Sequence, residues 1–429
     1  ALFELQDRSV AALVPLEQPR VVVRRFGPAM LSGALFACAH APEASVHYLL
    51  TPRAGAIDVT VTLADVAEPT AVVFRTRTNW DGSSAIPGWR TPVPTAPGAR
   101  SFTYSVPAAL TAQTDVAAPL ADAERMRAFA STLLAIPSVP AQPTFSITVA
   151  ANGAGVANWP RDGGVFLAPD EQTLWDGVLF AGPSVRVTTR SGQVPIRVAS
   201  RAHLADLAAA LTDDLVTLCA AGVDYFAAPL PFERLLFVLD DRGPASPGLS
   251  AYTGGGAELA MVLSVGADDE RAALRQTLAH EFARAWIPRI VSHRVGWDTF
   301  FDAGFATYLG LDLGRAAGLL DDDTVEQRVQ AERGRFAERF GADNEFMLGY
   351  AKGVAVAAEW HAAAQASSAG TLGFRKLMRA LVDEARRSGR TLDRDAVVRA
   401  IGRHVERAEE LYANSAAPGA PPRSSRTRS

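Results

Sequence analysis

Cysteine and lysine are both scarce in this chain of 429 residues. The two cysteines, Cys38 and Cys219, are too few for a disulfide framework, and no Cys/His cluster has zinc-finger spacing. Lysine occurs only as Lys352 and Lys376, so arginine carries almost all of the positive charge. The cysteine content excludes a disulfide-rich scaffold and leaves the redox compartment open.

An excess of charge of one sign is also missing. The chain has 42 basic and 46 acidic residues, a net charge of −4, and 48% apolar residues. Such a composition is typical of a globular chain long enough for two or three domains. It carries no basic footprint for a nucleic acid, so we expect no nucleic-acid partner.

Long apolar runs are absent near the N-terminus, where an uncharged stretch, Phe26–Ala39, is too short to span a bilayer. Three arginines between positions 20 and 25 precede it, which is the layout of a secretory signal. Leu35-Phe36-Ala37-Cys38 resembles a lipoprotein processing site, with Cys38 as the lipidated residue. We therefore expect residues 1–43 to be a leader and the protein to be exported, periplasmic or lipid-anchored. The alternative is a buried N-terminal helix in a cytoplasmic protein.

The first half of the chain has the pattern of β-strands. Apolar and polar residues alternate from Ile57 to Leu63. Similar segments occur at 71–75, 102–106, 145–149 and 185–189, with Pro/Gly/Ser-rich loops between them. The pattern predicts an antiparallel β-sheet domain over residues 44–198.

The second half is mostly helical in pattern. An Ala/Leu-rich helix is predicted from Ala202 to Ala221, followed by a buried strand over Leu235–Leu239. An apolar stripe after Gly373 predicts an amphipathic helix that ends at Ser388-Gly389. We assign residues 199–414 to this domain, and expect the Pro-, Ser- and Arg-rich segment 415–429 to be disordered.

The candidate chemistry lies on a helix predicted to begin near Asp268. Leu274, Leu278, Phe282 and Trp286 recur every fourth residue on its core face, while His280 and Arg284 share another face. In zinc peptidases with the H-E-x-x-H motif, two histidines one turn apart bind the ion and the glutamate activates a metal-bound water. This chain has His280 and Glu281, but Arg284 stands at the second histidine position.

Residues 230–365 resemble the glycyl aminopeptidase family of gluzincin metallopeptidases, and more distantly aminopeptidase N. The motifs that carry the resemblance are Trp286, the segment Phe301–Tyr308 beside the family pattern F-x-E-G-F-x-x-Y, Arg315–Leu319 beside R-A-G-L, Tyr350–Gly353 beside Y-x-K-G, and the glycine-rich Gly254–Glu258. Ala303 occupies the place of the family's glutamate ligand, nineteen positions after Arg284.

The resemblance implies an α+β, multidomain fold: an N-terminal antiparallel β-sheet domain, then a mainly helical, thermolysin-like gluzincin domain. It also implies the roles of single residues. His280, Arg284 and Ala303 are the former metal-ligand positions, Glu281 and Tyr350 are the remnant catalytic positions, and Gly255, Gly256 and Glu258 are the substrate-binding positions.

A catalytic zinc needs about three protein ligands and an open position for water. His280 alone remains, and Arg284 places a permanent cation where the ion would lie. We therefore expect no metal or other cofactor. We expect the Arg284 guanidinium to neutralise either Glu281 or Asp302. The alternative is a rearranged zinc site formed by His280, His293 and Asp302. For Glu258, Glu281 and Lys352, plain ion pairing is the alternative to a functional role.

These observations favour a peptidase-like protein that has lost zinc binding and peptidase activity, with a cleft that holds a peptide or a partner protein. One alternative is an active metallo-aminopeptidase with a non-standard metal site. Another is an exported scaffold with a vestigial cleft. Contact with a membrane is expected only through a lipid on Cys38.

Overall fold

The computed structural model describes residues 45–64, 72–78, 83–96, 98, 100–109, 118–139, 142–241, 250–253, 258–291, 300–338, 345–389 and 391–416. The predicted leader, with Cys38, lies outside the described residues, as do His293, Gly255 and Gly256. Among the described helices, none is both long enough and apolar enough to cross a membrane.

The N-terminal region is built on a sheet with the strand order β11-β12-β9-β1-β2-β5-β4. The strands are β1 (Ser45–Arg53), β2 (Ala56–Ala64), β4 (Val93–Pro94), β5 (Ser101–Pro107), β9 (Thr144–Val149), β11 (Arg161–Asp162) and β12 (Val165–Ala168). The predicted alternation holds in β2, because Val59, Val61 and Leu63 are buried and face the core. The sheet is not wholly antiparallel as predicted, since β1 and β9 pair in parallel.

Two smaller sheets complete this region. One has the order β10-β13-β7-β6, from β6 (Leu120–Ala121), β7 (Met126–Phe129), β10 (Ala154–Ala157) and β13 (Val178–Gly182). The other pairs β3 (Phe74–Arg75) with β8 (Ile136–Pro137). A short helix, α1 (Glu171–Trp175), begins where the Asp170 side chain accepts a hydrogen bond from the Thr173 N–H.

The second region begins with a mixed sheet of order β14-β15-β16-β18-β17. Its strands are β14 (Val185–Arg190), β15 (Ile196–Arg201), β16 (Arg234–Asp241), β17 (Ser250–Thr253) and β18 (Glu258–Val265). Strands β15, β16 and β18 run parallel, with antiparallel strands at both ends. Residue 198, the predicted domain boundary, lies in β15 and therefore inside this sheet. The sequence pattern of β14 and β15 resembles that of the preceding strands, which is why the boundary was predicted there.

Helices cover one face of this sheet. They are α2 (Ala205–Phe226), α3 (Arg271–Arg284), α4 (Ile287–Ile290), α5 (Ala306–Ala316), α6 (Asp322–Glu338), α7 (Glu345–Ser367), α8 (Phe374–Ser388), α9 (Arg394–Gly402) and α10 (Ala408–Ala416). The apolar stripes of α3 and α8 are buried in one large core, as predicted. Helix α8 ends at Gly389, whose left-handed backbone (φ 63°) suits glycine.

The opposite face of the same sheet packs on the sheet β10-β13-β7-β6. An apolar layer fills the space between them, with Phe129 and Phe180 from one sheet and Leu236, Val238 and Val262 from the other. We call this layer the interdomain cluster. The two regions are thus joined by a buried, sandwich-like interface, and the candidate site lies on the other, helical side of the five-stranded sheet.

Candidate functional site

The site is set by the close crossing of α3 and α5. A Cβ added to Gly310 would lie 2.8 Å from both the carbonyl oxygen of Ala279 and the amide nitrogen of His280. Only glycine lets two helix backbones approach this far without displacement. The contact fixes His280 of α3 beside α5, and Thr307, one turn before Gly310, lies against the imidazole.

A π-helical turn, Phe300–Phe305, leads into α5 and contains Ala303, which the sequence resemblance predicts at a glutamate-ligand position. The turn packs tightly on α7. A Cβ on Gly304 would lie 2.1 Å from the carbonyl oxygen of Tyr350, and one on Gly353 would lie 2.4 Å from that of Phe300. Single π-helical turns are rare and occur often at functional sites. Two glycines at two adjacent helices therefore hold Ala303 and Tyr350 in place.

His280, Thr307 and Tyr350 form a hydrogen-bonded row at this crossing. Thr307 Oγ1 lies 3.0 Å from His280 Nδ1, 2.8 Å from Tyr350 Oη and 2.8 Å from the Ala303 carbonyl oxygen. The single Thr307 hydroxyl proton can be donated to the Ala303 carbonyl oxygen or to Tyr350 Oη. Burial raises the pKa of Tyr350, which keeps the phenol protonated.

Arg284 forms an ion pair with Glu281, one turn earlier on α3. Its Nη1 lies 3.1 Å from Glu281 Oε2, and the other carboxylate oxygen lies 3.7 Å from His280 Nε2. The Glu281 side chain is only 3% exposed, whereas that of Arg284 is 21% exposed. The predicted neutralisation of Glu281 by Arg284 is confirmed. The side chain of Asp302, the other predicted partner, lies outside the described residues.

A second arginine reaches the row from α6. Arg328 Nη2 lies 3.4 Å from Tyr350 Oη and 3.0 Å from Oε1 of Glu332, which is fully buried. Arg335 Nη1 contacts the same oxygen at 2.9 Å, so two guanidinium groups share one carboxylate. We call the connected set Arg284, Glu281, His280, Thr307, Tyr350 and Arg328 the polar chain.

The residues of the polar chain do not fit a catalytic zinc. Of the three positions predicted to correspond to metal ligands, only His280 has a side chain that can bind zinc, since Arg284 is a cation and the Ala303 side chain has no metal-binding atom. Within the described ranges, no group of three or more His, Cys, Asp or Glu side chains could hold a metal ion.

Glu258, a predicted substrate-binding residue, lies at the start of β18 on the face that carries Ala260 and Val262 of the interdomain cluster. It is 3% exposed and binds Arg197 through both oxygens, with Arg197 Nε 2.7 Å from Oε1. Asn158 Nδ2 of the N-terminal region donates to its backbone carbonyl at 3.3 Å. Glu258 is thus held in an ion pair with Arg197 of β15, within the same sheet, which is the ion-pairing alternative stated above.

The sequence motifs did not single out Thr307, Arg328 or Glu332. Thr307 lies within the motif segment, one helical turn after Ala303, so helical spacing could have identified it. Arg328 and Glu332 have the i, i+4 spacing of a helical ion pair on α6. No motif there links them to a site on other helices, and only the tertiary fold brings them to Tyr350.

The fold is shared with solved metallopeptidase structures. An aminopeptidase N family protein from Idiomarina loihiensis superposes with a TM-score of 0.65 at 14% identity, over 86% of this chain and 75% of that one. An M1 zinc metallopeptidase from Deinococcus radiodurans gives a TM-score of 0.50 at 17% identity, over 87% and 93%. This chain has a gluzincin-like fold. Comparisons with models of protein families and with curated proteins give no match.

Proposed function

We propose that this protein is a metallopeptidase-like protein, of the glycyl aminopeptidase type, that has lost catalytic zinc and peptidase activity and uses its cleft to bind a peptide or a partner protein. The observation that carries the proposal is the Arg284–Glu281 ion pair at the position of the second histidine ligand. Similarity of fold does not by itself transfer activity, because activity resides in the site.

The arginine explains why the remaining catalytic positions lack their role. In an active site of this type, the glutamate takes a proton from a metal-bound water. Glu281 is buried and holds a guanidinium instead. Tyr350 is buried and hydrogen-bonded to Thr307, where it serves as a wall residue. The site keeps its shape through helix packing, which does not depend on a bound ion.

The test is the zinc content of the purified chain, measured by elemental analysis before and after incubation with zinc and dialysis. Aminoacyl chromogenic substrates are assayed in parallel, with and without added zinc. We expect far less than one zinc per chain and no turnover. Near-stoichiometric zinc together with turnover would overturn the proposal and favour an aminopeptidase with a rearranged site at His280, His293 and Asp302.

A further inference from the structure

The seven-stranded sheet of the N-terminal region has one face on the core and one face toward solvent. In β1, Val46, Tyr48 and Leu50 are buried in the core, whereas His47 and Leu49 between them are exposed on the other side. We call the solvent side the outer face. Its side chains are accessible to a partner in the part of the chain that the structure describes.

The pairing of the strands places the residues of the outer face in two adjacent rows. One row is Thr148, Leu49, Thr60, Thr103 and Val93. The other row is Leu167, Ser146, His47, Thr62 and Ser101. Neither row contains Asp, Glu, Lys or Arg, and most of the side chains are those of serine and threonine. The outer face thus offers methyl and hydroxyl groups but no fixed charge.

Exposed apolar side chains are concentrated on these two rows. Among the described residues, the large apolar side chains that are well exposed include Leu49, Leu167 and Val93, at 42%, 40% and 66%. The others are Val73, next to β3, and Val187 in β14. Single exposed apolar residues are ordinary, whereas several on one flat face indicate an interaction surface. The threonine methyl groups between them extend the apolar area.

The size of the outer face matches a specific protein interface at its lower limit. Strands lie about 4.8 Å apart and rise about 3.3 Å per residue, so the seven strands present a planar area of about 600 Å². Two such faces in contact bury about 1,200 Å², which is the lower end of the range for specific interfaces.

The positions of the apolar residues are self-complementary. Leu167 lies in β12 near one edge of the sheet, Val93 lies in β4 at the other edge, and Leu49 lies in β1 near the middle. A two-fold axis parallel to the strands and between β1 and β2 exchanges β12 with β4, because these strands are equally far from it. The Leu167 edge of one copy then meets the Val93 edge of the other, and Leu49 meets Thr60.

From this arrangement we infer that the chain forms a two-fold symmetric dimer in which the outer faces of two copies stack on each other. Symmetric contacts of one patch with itself are the commonest interfaces of homo-oligomers. A face without fixed charges brings no like charges together when it meets its own copy. The hydroxyl groups can bond to each other or to bridging waters, which keeps the cost of their burial low. The inference concerns a surface apart from the candidate site and does not depend on the proposed function.

The test is sedimentation velocity of the full chain between about 1 and 200 µM, since interfaces of standard size begin at micromolar dissociation constants. We expect a reversible equilibrium between monomer and dimer in this range. Because the two rows carry no fixed charge, the dissociation constant should change by less than about twofold between low and high salt.

Two variants with the same new side chain connect the dimer to the outer face. L49D places a charge at the centre of the stacked faces and should raise the dissociation constant about tenfold or more, because a buried, unpaired charge is costly. V187D is the matched control, since Val187 is exposed to a similar degree, 40%, but lies in β14 of the other region. It should leave the dissociation constant unchanged. Urea unfolding checks that both variants are folded.

A rescue experiment tests the symmetry of the dimer. T60R alone should weaken the dimer as L49D does. A mixture of the two variants should form a heterodimer, because the two-fold axis sets the aspartate of one chain against the arginine of the other. Each chain carries one substitution only, so a salt bridge within one chain cannot produce this result.

The outcomes decide the inference at three levels. A monomer at every concentration would overturn it, even if the outer face binds a different protein. A dimer that L49D and V187D weaken equally, or that neither weakens, would show that the copies meet elsewhere. A dimer that both L49D and T60R abolish, and that their mixture does not restore, would overturn the two-fold arrangement.

Discussion

At the residue scale, the proposed function depends most on Arg284, which the sequence resemblance places at a histidine ligand position. It places a cation beside Glu281 without a change in the backbone of α3, which remains helical from Arg271 to Arg284. Under the proposed function, the Arg284 side chain supplies positive charge where an active relative would hold an ion. The helix can therefore keep its shape without the ion.

The energetic role of Arg284 can be measured with a double-mutant cycle. R284Q removes the partner of a buried carboxylate and should lower the free energy of unfolding by about 3 kcal/mol. This value is at the low end of the range for breaking a buried ion pair, because Arg284 is partly exposed. E281Q/R284Q should lower it by less. Urea unfolding of both single variants and the double variant gives the coupling energy. A coupling energy near zero would mean that the pair does not substitute for the ion.

If positions 284 and 303 correspond to ligand positions, as the proposed function holds, ligand-type residues there should restore zinc binding. R284H/A303E restores a histidine one turn after His280 and a carboxylate at the position of the third ligand, which completes a three-residue ligand set. We expect the double variant to retain about one zinc per chain after dialysis, and A303E alone to retain none, since Arg284 persists there. Elemental analysis of the three proteins checks this. Absence of zinc from R284H/A303E would show that the backbone of the site has also diverged.

At the element scale, the site depends on how closely α3, α5 and α7 pack. Gly310 and Gly304 are the points of contact, and both face backbone atoms of the neighbouring helix rather than movable side chains. Backbone atoms cannot yield locally, so an added methyl group must separate the helices. The polar chain spans this contact and would be disturbed with it.

We expect G310A to lower the free energy of unfolding by about 1–3 kcal/mol, the usual cost of overpacking. G334A in α6 is the matched control, because a Cβ there meets no atom within 4 Å. Alanine at this helical position should raise the free energy of unfolding by about 0.4–1 kcal/mol. Thermal or urea unfolding measures both changes. A G310A variant as stable as the unmodified protein would contradict the tight crossing.

The elements themselves could largely be predicted from local patterns. Alternation predicted β2, the apolar stripe predicted α8 with its end at Gly389, and fourfold spacing predicted the buried face of α3. The parallel pairing of β1 with β9 could not be predicted, because it joins residues about a hundred positions apart in the chain. Nor could local patterns show that β14 belongs to the five-stranded sheet and not to the N-terminal one. The π-helical turn has no sequence pattern of its own.

The contacts of the candidate site could be predicted within one helix but not between helices. His280, Glu281 and Arg284 lie within one helix, so their contacts follow from helical spacing. Thr307, Tyr350 and Arg328 come from three further helices, and their meeting depends on the crossing at Gly310 and the contact at Gly304. A motif can specify residue types at such a point, but not the distances between them.

At the scale of the whole molecule, the interdomain cluster is bordered by buried charges at the ends of its strands. Arg125 and Arg127 of the N-terminal region contact Asp240 of β16, each at 3.1 Å, and Asp240 is fully buried. Charged pairs of this kind orient two sheets relative to each other, although their removal from water offsets much of the attraction.

The free-energy cost of removing the Asp240 carboxylate from water should appear in the pH dependence of stability. Burial raises the pKa of Asp240 to about 6, against an ordinary value of 3.8, and the two arginines lower it only in part. A raised pKa gives a stabilising contribution that is present below pH 3.8 and is lost as the pH rises through 6. The difference in unfolding free energy between the unmodified protein and D240N should therefore decrease from pH 4 to pH 7, by about 2 kcal/mol for one proton.

Urea unfolding at several pH values measures this difference. D213N is the control, since Asp213 pairs with Arg190 on the surface, where both side chains are more than half exposed, and exposed pairs contribute little. Its difference from the unmodified protein should be nearly constant over the same range. A constant difference for D240N as well would show that Asp240 stays ionised in the folded protein.

The glycine contacts at Gly304, Gly310 and Gly353 also bear on the kinetics of ligand capture. Because they lock the three helices that carry His280, Thr307 and Tyr350, this hydrogen-bonded row is already in position before a ligand of the proposed kind arrives. Association should then follow a single exponential, with an observed rate that rises linearly with ligand concentration and does not reach a plateau. A rate constant of about 10⁵–10⁷ M⁻¹s⁻¹ is typical when no opening step precedes binding.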